Sequence, residues 1–147
     1  MQHALSLARK AEQQGEVPVG AVVVCEGQLV GEGWNQSIAL NDPSAHAEIL
    51  ALRAAGQRLQ NYRLPSCTMY VTLEPCAMCV TAAIHARLDS LVYAASDPKT
   101  GALGGAYDLP EVYTHNHEFE TSGGLLAEEA AELLRSFFRR RRKMPVC

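Results

Sequence analysis

Apolar positions along the chain recur with two different periods. Across residues 2–14, Ala4, Leu5, Leu7, Ala8 and Ala11 return to one side every three to four positions, which predicts a helix stopped at Gly15. Residues 19–25 are short, apolar and β-branched, and residues 28–30 follow across Glu26-Gly27. Together they predict an antiparallel hairpin that ends near Gly33-Trp34-Asn35. Asn41-Asp42-Pro43-Ser44 reads as a loop and a helix start, leading into a helix from Ala45 to Leu59. Residues 67–73 predict a third strand broken by Glu74-Pro75, residues 76–87 a helix with proline just ahead of it, and residues 90–95 a fourth strand. A loop rich in Gly and Pro covers 97–105, and a short fifth strand is expected at 117–121. The Ala/Glu/Leu/Arg-rich stretch 125–142 carries the clearest helical signal.

This order predicts an α/β protein: one mixed sheet with helices on its faces, the hairpin antiparallel and the strand–helix–strand segment parallel. No internal repeat or linker interrupts the pattern. A length of 147 residues suits one domain, expected to span 1–147. With 48% apolar and 20% charged residues the chain can bury a core, which excludes a wholly disordered polypeptide. The longest apolar runs fall far short of the ~20 residues that span a bilayer, so no membrane association is expected. Met1-Gln2-His3-Ala4 lacks a basic stretch followed by an apolar one, so no secretory signal is expected either. The five cysteines (Cys25, Cys67, Cys76, Cys79 and Cys147) are an odd number, which fits a reducing cytoplasm better than a disulfide framework.

Net charge changes meaning once it is divided along the chain. The total of -3 argues against a polyanionic partner. Yet Arg135, Arg139, Arg140, Arg141, Arg142 and Lys143 fall in the last 13 positions with no acid among them, leaving 7 bases against 16 acids before them. A tail of +6 on a body of -9 permits a phosphate-binding edge on an acidic protein, because local field steers an anion. Alternatively, the run is a solvated helix end. Of Phe137 and Phe138, just ahead of it, one could pack on the core and the other meet a base.

Candidate chemistry centres on His46-Ala47-Glu48 and Pro75-Cys76-Ala77-Met78-Cys79. One imidazole and two thiolates supply three ligands and leave the fourth position of a tetrahedral zinc open, as hydrolysis requires and a structural site does not. His46 is expected in the first turn of one helix and Cys76 and Cys79 in the first turn of another, where the positive helix ends favour thiolates. Cys76 and Cys79, three apart, share a side of their helix. Glu48, two residues past His46, is placed to relay protons. A Cys-x-x-Cys pair taken alone reads equally as structural zinc or a redox pair, but a second such pair for a four-cysteine site is absent, and a redox reading leaves His46 and Glu48 without a part. Cys25 and Cys67 read as core thiols, Cys147 as an exposed terminus, His85 as structural, and His115-Asn116-His117 as a solvated loop.

His-x-Glu followed by Pro-Cys-x-x-Cys resembles the signature of the zinc-dependent nucleobase deaminases. Glu16-Val17-Pro18-Val19-Gly20-Ala21, Gly33-Trp34-Asn35, Asp42 to Glu48, Asn61-Tyr62-Arg63-Leu64, Tyr70 to Cys76 and Asp97-Pro98-Lys99-Thr100-Gly101 extend the likeness over nearly the whole chain. They are similar to the bacterial tRNA-specific adenosine deaminases. The resemblance implies a cytidine deaminase-like fold, three-layer α/β/α around a central mixed five-stranded sheet. It implies hydrolytic deamination of adenosine to inosine at the wobble position of a tRNA anticodon, with one Zn2+ per subunit on His46, Cys76 and Cys79. Glu48 would be the proton shuttle and Asn35 a hydrogen-bonding partner of the purine or its ribose. Backbone groups around Ala47 and Cys76 would orient the tetrahedral intermediate, and Asp97 would contact the nucleotide backbone. Phe138, Arg139, Arg140, Arg141 and Arg142 are candidates for contact with the tRNA anticodon stem-loop, and the resemblance also implies a homodimer. Two rivals share parts of this frame: a deaminase of a free base, nucleoside or nucleotide (guanine, cytidine or deoxycytidylate), and a non-catalytic zinc-stabilised RNA-binding module.

Overall fold

A computed structural model describes residues 1–145. Helix α1 (Gln2–Gln13) leads to the hairpin of β1 (Gly20–Cys25) and β2 (Gln28–Trp34), followed by α2 (Ala47–Leu59), β3 (Cys67–Leu73), α3 (Ala77–His85) and β4 (Ser90–Ala95). A single helical turn α4 (Leu109–Val112), the strand β5 (Glu120–Gly123) and α5 (Ala127–Lys143) complete the chain. The sheet order is β2-β1-β3-β4-β5. β1 pairs antiparallel with β2 and β3, whereas β3, β4 and β5 run parallel, so the sheet is mixed as expected. Helices α2 and α3 cover one face, and α1 and α5 cover the other. Among the described residues no helix is long and apolar enough to cross a membrane.

Alternation along the strands explains both layers. Val22 on β1 packs with Ala4 and Leu7 of α1, whereas Ala21 and Val23, pointing the other way, join Ala47, Ala51 and Ala55 of α2, Val80 of α3 and Met69 and Val71 of β3. The hairpin turns at Glu26 and Gly27, both at positive φ (50° and 77°), the conformation a two-residue turn needs to follow strand twist.

α2 lies unusually close to β2 because Gly33 has no side chain. A Cβ there would stand 2.2 Å from the Ala47 carbonyl oxygen and 2.6 Å from the Ala51 nitrogen. The small residues on both elements therefore bring the N-terminal end of α2 directly over the sheet.

Several boundaries differ from the sequence expectation. α2 begins at Ala47 rather than Ala45, because the Asp42 carboxylate accepts from the Ser44 N–H (2.8 Å) and hydroxyl (2.7 Å), holding that segment in its own turn. α3 begins at Ala77, with Cys76 as its N-cap. β5 lies at Glu120–Gly123 instead of 117–121. Its four residues are all exposed, so no alternation marks them. α4 was not expected, although Asp108 at its N-cap and Pro110 in its first turn are helix-start residues; four residues are too few to show a helical period.

Candidate metal centre and substrate cavity

Two helix N-termini meet at the end of the sheet where β1 begins and β3 finishes. His46 is the N-cap of α2 in extended conformation (φ -75°, ψ 153°), and Cys76 is the N-cap of α3 (φ -76°, ψ 174°). The expectation that His46 and Cys76 occupy first helical turns is thus corrected by one position each, while Cys79 does lie in the first turn of α3. The change matters because an N-cap side chain can project past the helix end, where the unpaired N–H groups concentrate positive potential.

The ligand atoms of His46, Cys76 and Cys79 all lie within 4.8 Å of one another. His46 Nδ1 is 3.7 Å from Cys76 Sγ and 3.5 Å from Cys79 Sγ. A tetrahedral zinc with its ordinary bond lengths would hold nitrogen and sulfur about 3.6 Å apart, so the three residues fit zinc. Their proton chemistry fits as well. The Cys79 thiol donates to Cys76, and His46 adds to this, bringing Cys76 down to about 4. Cys79 is pushed far up because its proton is shared with Cys76 and its side chain is buried. His46 is raised by its contact with Cys76. One proton bridging two sulfurs beside an imidazole is the arrangement a divalent cation displaces on binding.

Glu48, on the first turn of α2, is 4% exposed, and burial pushes its carboxyl upward. The Asn35 N–H donates to Val19 (3.1 Å), while its side-chain oxygen accepts from the Ala47 N–H at 2.8 Å. That contact fixes the orientation of the Asn35 amide and leaves its NH2 directed away from the Ala47 N–H. The Cys76 N–H has no protein acceptor among the described residues.

A cavity of about 1040 Å³ opens over these groups. Val17, Val19 and Leu73 form its apolar side, residues 96–100 one wall, and α5 the other through Leu134, Arg135, Phe138, Arg139 and Arg142. Asp97 lines it, but both of its oxygens are engaged within its own loop, by the Lys99 and Thr100 N–H groups (3.0 and 3.3 Å) and the Thr100 hydroxyl (2.9 Å). A carboxylate held this way builds the turn that carries it into the cavity wall.

The basic tail divides in two. Phe138, Arg139 and Arg142 reach the cavity. Arg140 pairs with Glu12 of α1, and Arg141 stacks over Phe137 with 5.5 Å to the ring centre, so neither lines it. Phe137 is buried, as expected of one member of the pair, and Phe138 is 44% exposed on the cavity wall. Arg135 and Arg139 share Glu132 at 3.0 and 3.2 Å. Cys67 is buried and Cys25 half-buried. His115 and His117 each contact a backbone carbonyl, Leu109 at 3.4 Å and Leu88 at 2.6 Å, so the loop that carries them is anchored rather than merely solvated. Cys147, expected as an exposed terminus, lies outside the described residues.

Sequence reasoning missed Glu74 and Glu132. Glu74 had one available signal, a charged residue placed between a buried strand and Pro75. Glu132 had none, since an acid on a helix rich in Glu reads as solvent-facing.

The sequence profile described as the cytidine and deoxycytidylate deaminase zinc-binding region matches residues 1–95. A tRNA-specific adenosine deaminase of Haemophilus influenzae is 52% identical over 144 residues, covering 97% of this chain and 83% of that protein. Among solved structures, one from studies of A-to-I editing by tRNA:A34 deaminases at the wobble position of transfer RNA superposes with a TM-score of 0.88. It is 42% identical and covers 91% of this chain and 97% of its own. The guanine deaminase of Nitrosomonas europaea superposes with a TM-score of 0.75 at 30% identity, covering 92% of this chain and 81% of that one.

Proposed function

We propose, from the premise that this chain belongs to the cytidine and deoxycytidylate deaminase family and within it to the tRNA-specific adenosine deaminases, that it converts adenosine to inosine at the wobble position of a tRNA anticodon. The observation that carries the reading is the His46, Cys76 and Cys79 triangle with buried Glu48 beside it, at the base of a cavity walled by Phe138, Arg139 and Arg142. A deaminase of free guanine is the nearest rival. At about 1040 Å³ the cavity reaches the upper end of the ~300–1,000 Å³ usual for small ligands, and guanidinium groups on its wall suit phosphates better than a neutral base. Five strands shared among the described residues support one deaminase domain over 1–147.

The residues divide the chemistry as follows. Zinc held by His46, Cys76 and Cys79 supplies a Lewis acid that makes water nucleophilic at neutral pH. Glu48, its carboxyl raised by burial, takes the proton released as water adds to C6 and delivers it to N1. Glu48 then moves the proton of the new C6 hydroxyl to the exocyclic nitrogen; the C6 carbonyl forms as the C–N bond breaks, so one water is consumed and one ammonia leaves. The Asn35 NH2 donates to the purine, its orientation set by the Ala47 N–H. Phe138 offers a stacking face to a neighbouring base, and Arg139 and Arg142 meet phosphates.

The free state of Cys25, Cys67, Cys76 and Cys79 suits a cytoplasmic setting. A homodimer belongs to the same reading: a cleft between α2 and α3, lined by Ile49, Leu52 and Ala82, has exposed Tyr62 on its rim for a second copy. Sedimentation of the full chain at micromolar concentration should report twice the monomer mass.

The deciding assay compares inosine formation in an anticodon stem-loop, read by nucleoside mass spectrometry, with ammonia release from free nucleosides and guanine. Activity confined to the free compounds would overturn the proposal. Glu48→Ala should keep zinc and RNA binding and lose turnover. A wild-type protein that binds both and never releases ammonia would instead be a binding module.

A further inference from the structure

Glu74 is 2% exposed and sits between the last residue of β3 and Pro75-Cys76. Its Oε1 accepts from the Ser96 hydroxyl and the Asp97 N–H, both at 3.0 Å. Its Oε2 accepts from the Leu103 and Gly105 N–H groups, both at 2.9 Å. Four donors fill the acceptor capacity of one carboxylate, and three of them are backbone groups of a single loop. The loop is also closed tightly around it. A Cβ on Gly101 would stand 2.4 Å from Oε2, and one on Gly105 2.5 Å from Oε1. Main-chain bonds on either side, from the Glu74 N–H to Ala95 (2.8 Å) and from the Ala102 N–H to Pro75 (2.9 Å), tie the same two segments together. Residues 96–100, held at one end by this carboxylate, are the cavity wall that includes Asp97, Lys99 and Thr100. Two residues beyond Glu74 stands the metal ligand Cys76.

We propose that Glu74 is a positioning residue for the RNA substrate: its carboxylate sets the 96–105 loop as the cavity wall in fixed register with the metal ligand Cys76. This rests on the proposed deaminase reading for the identity of the substrate, but not for the placement of the loop. The side chain does not touch the reacting atoms. It acts through the loop, so its loss should weaken binding of the substrate far more than the chemical step.

Glu74→Gln tests this, because the amide keeps the shape but turns one acceptor into a donor, which must face either the Leu103 and Gly105 N–H groups or the Asp97 N–H beside the Ser96 hydroxyl. In the full-length zinc-loaded protein, amide exchange at Asp97, Leu103 and Gly105 should accelerate by about 100-fold or more while β3 and α3 keep their protection. KM for an anticodon stem-loop should rise by about tenfold or more with kcat changed by less than about threefold, and zinc should remain at one per chain. Glu74→Asp, which keeps four acceptor sites on a shorter arm, should recover part of the KM. Unchanged exchange in the loop would overturn the proposal, as would an unchanged KM accompanied by loss of zinc and of thermal stability. If Glu74→Gln does not fold, Ser96→Ala removes one donor alone and should raise KM by about threefold at constant zinc content; no rise overturns the proposal. Should the wild-type protein edit no RNA, the exchange measurement still decides the role of Glu74, and the two failures stay separate.

Discussion

Replacing Gly33 by alanine asks whether the packing of α2 on β2 sets the geometry of the metal triangle. The added Cβ would lie 2.2 Å from the Ala47 carbonyl oxygen, 2.6 Å from the Ala51 nitrogen and 3.1 Å from the Leu50 Cβ. A carbon and a carbonyl oxygen rest at about 3.3 Å or more, so the first turn of α2 must retreat by about 1 Å. His46 is the residue immediately before that turn, and its Nδ1 stands 3.5 and 3.7 Å from the two sulfurs. Metal sites keep their distances to about 0.2 Å, so the retreat exceeds the tolerance several times over. Overpacking of this kind costs about 1–3 kcal/mol. For a chain of this length that corresponds to a fall in Tm of roughly 3–10 °C. Zinc affinity should fall by about tenfold or more, as when the support of a metal ligand is removed. Gly31→Ala is the control. Its Cβ would stand 2.4 Å from the Ala51 carbonyl oxygen, one turn further from His46, so Tm should fall similarly with a smaller loss of zinc. Calorimetry and competition with a chromophoric chelator read the two quantities separately. Wild-type zinc affinity in Gly33→Ala, or equal zinc loss in both variants, would refute the reasoning.

Zinc removal should abolish ammonia release and lower Tm, since a ligand present at about 1,000 times its Kd stabilises the folded state by about 4 kcal/mol. Readdition of zinc should restore both, and a Tm indifferent to chelator would show that the three ligands do not hold a metal tightly. Arg142→Ala should raise KM for the stem-loop and lower the slope of log KM against log salt by about one, as expected for a lost phosphate contact. Arg140→Ala should change neither, because Arg140 pairs with Glu12 and lies outside the cavity. Matching effects in the two variants would mean that the tail acts only through its total charge.

Most of the fold was legible where burial imposes a period. β3 and β4 match their expected limits, since each lies between helices on both faces and is mostly apolar. β5 was misplaced because its four exposed residues answer to pairing with β4 rather than to burial. The start of α2 was misjudged because Asp42 and Ser44 satisfy each other instead of capping the helix. In the candidate site, His46, Glu48, Cys76 and Cys79 were readable from two short motifs. Asn35 and Asp97 were recognised by resemblance, but the protein groups that hold each side chain were not: the Ala47 N–H orients one, and the other closes its own turn.

The sequence alone determined the donor set and the layering of the fold, because both rest on local relations: the Cys-x-x-Cys spacing and the alternation along each strand. Tertiary structure alone decided how the donors meet and what surrounds them. His46 reaches Cys76 from 30 positions away, and Glu74 collects its donors from 22 to 31 positions downstream. It also sorted the basic tail, turning Arg139 and Arg142 toward the cavity while Arg140 and Arg141 found partners elsewhere. The physical reason is that a charge run has no period of its own. Which of its members face a ligand depends on how α5 lies against the sheet, and burial of Ala130 and Phe137 sets that rotation.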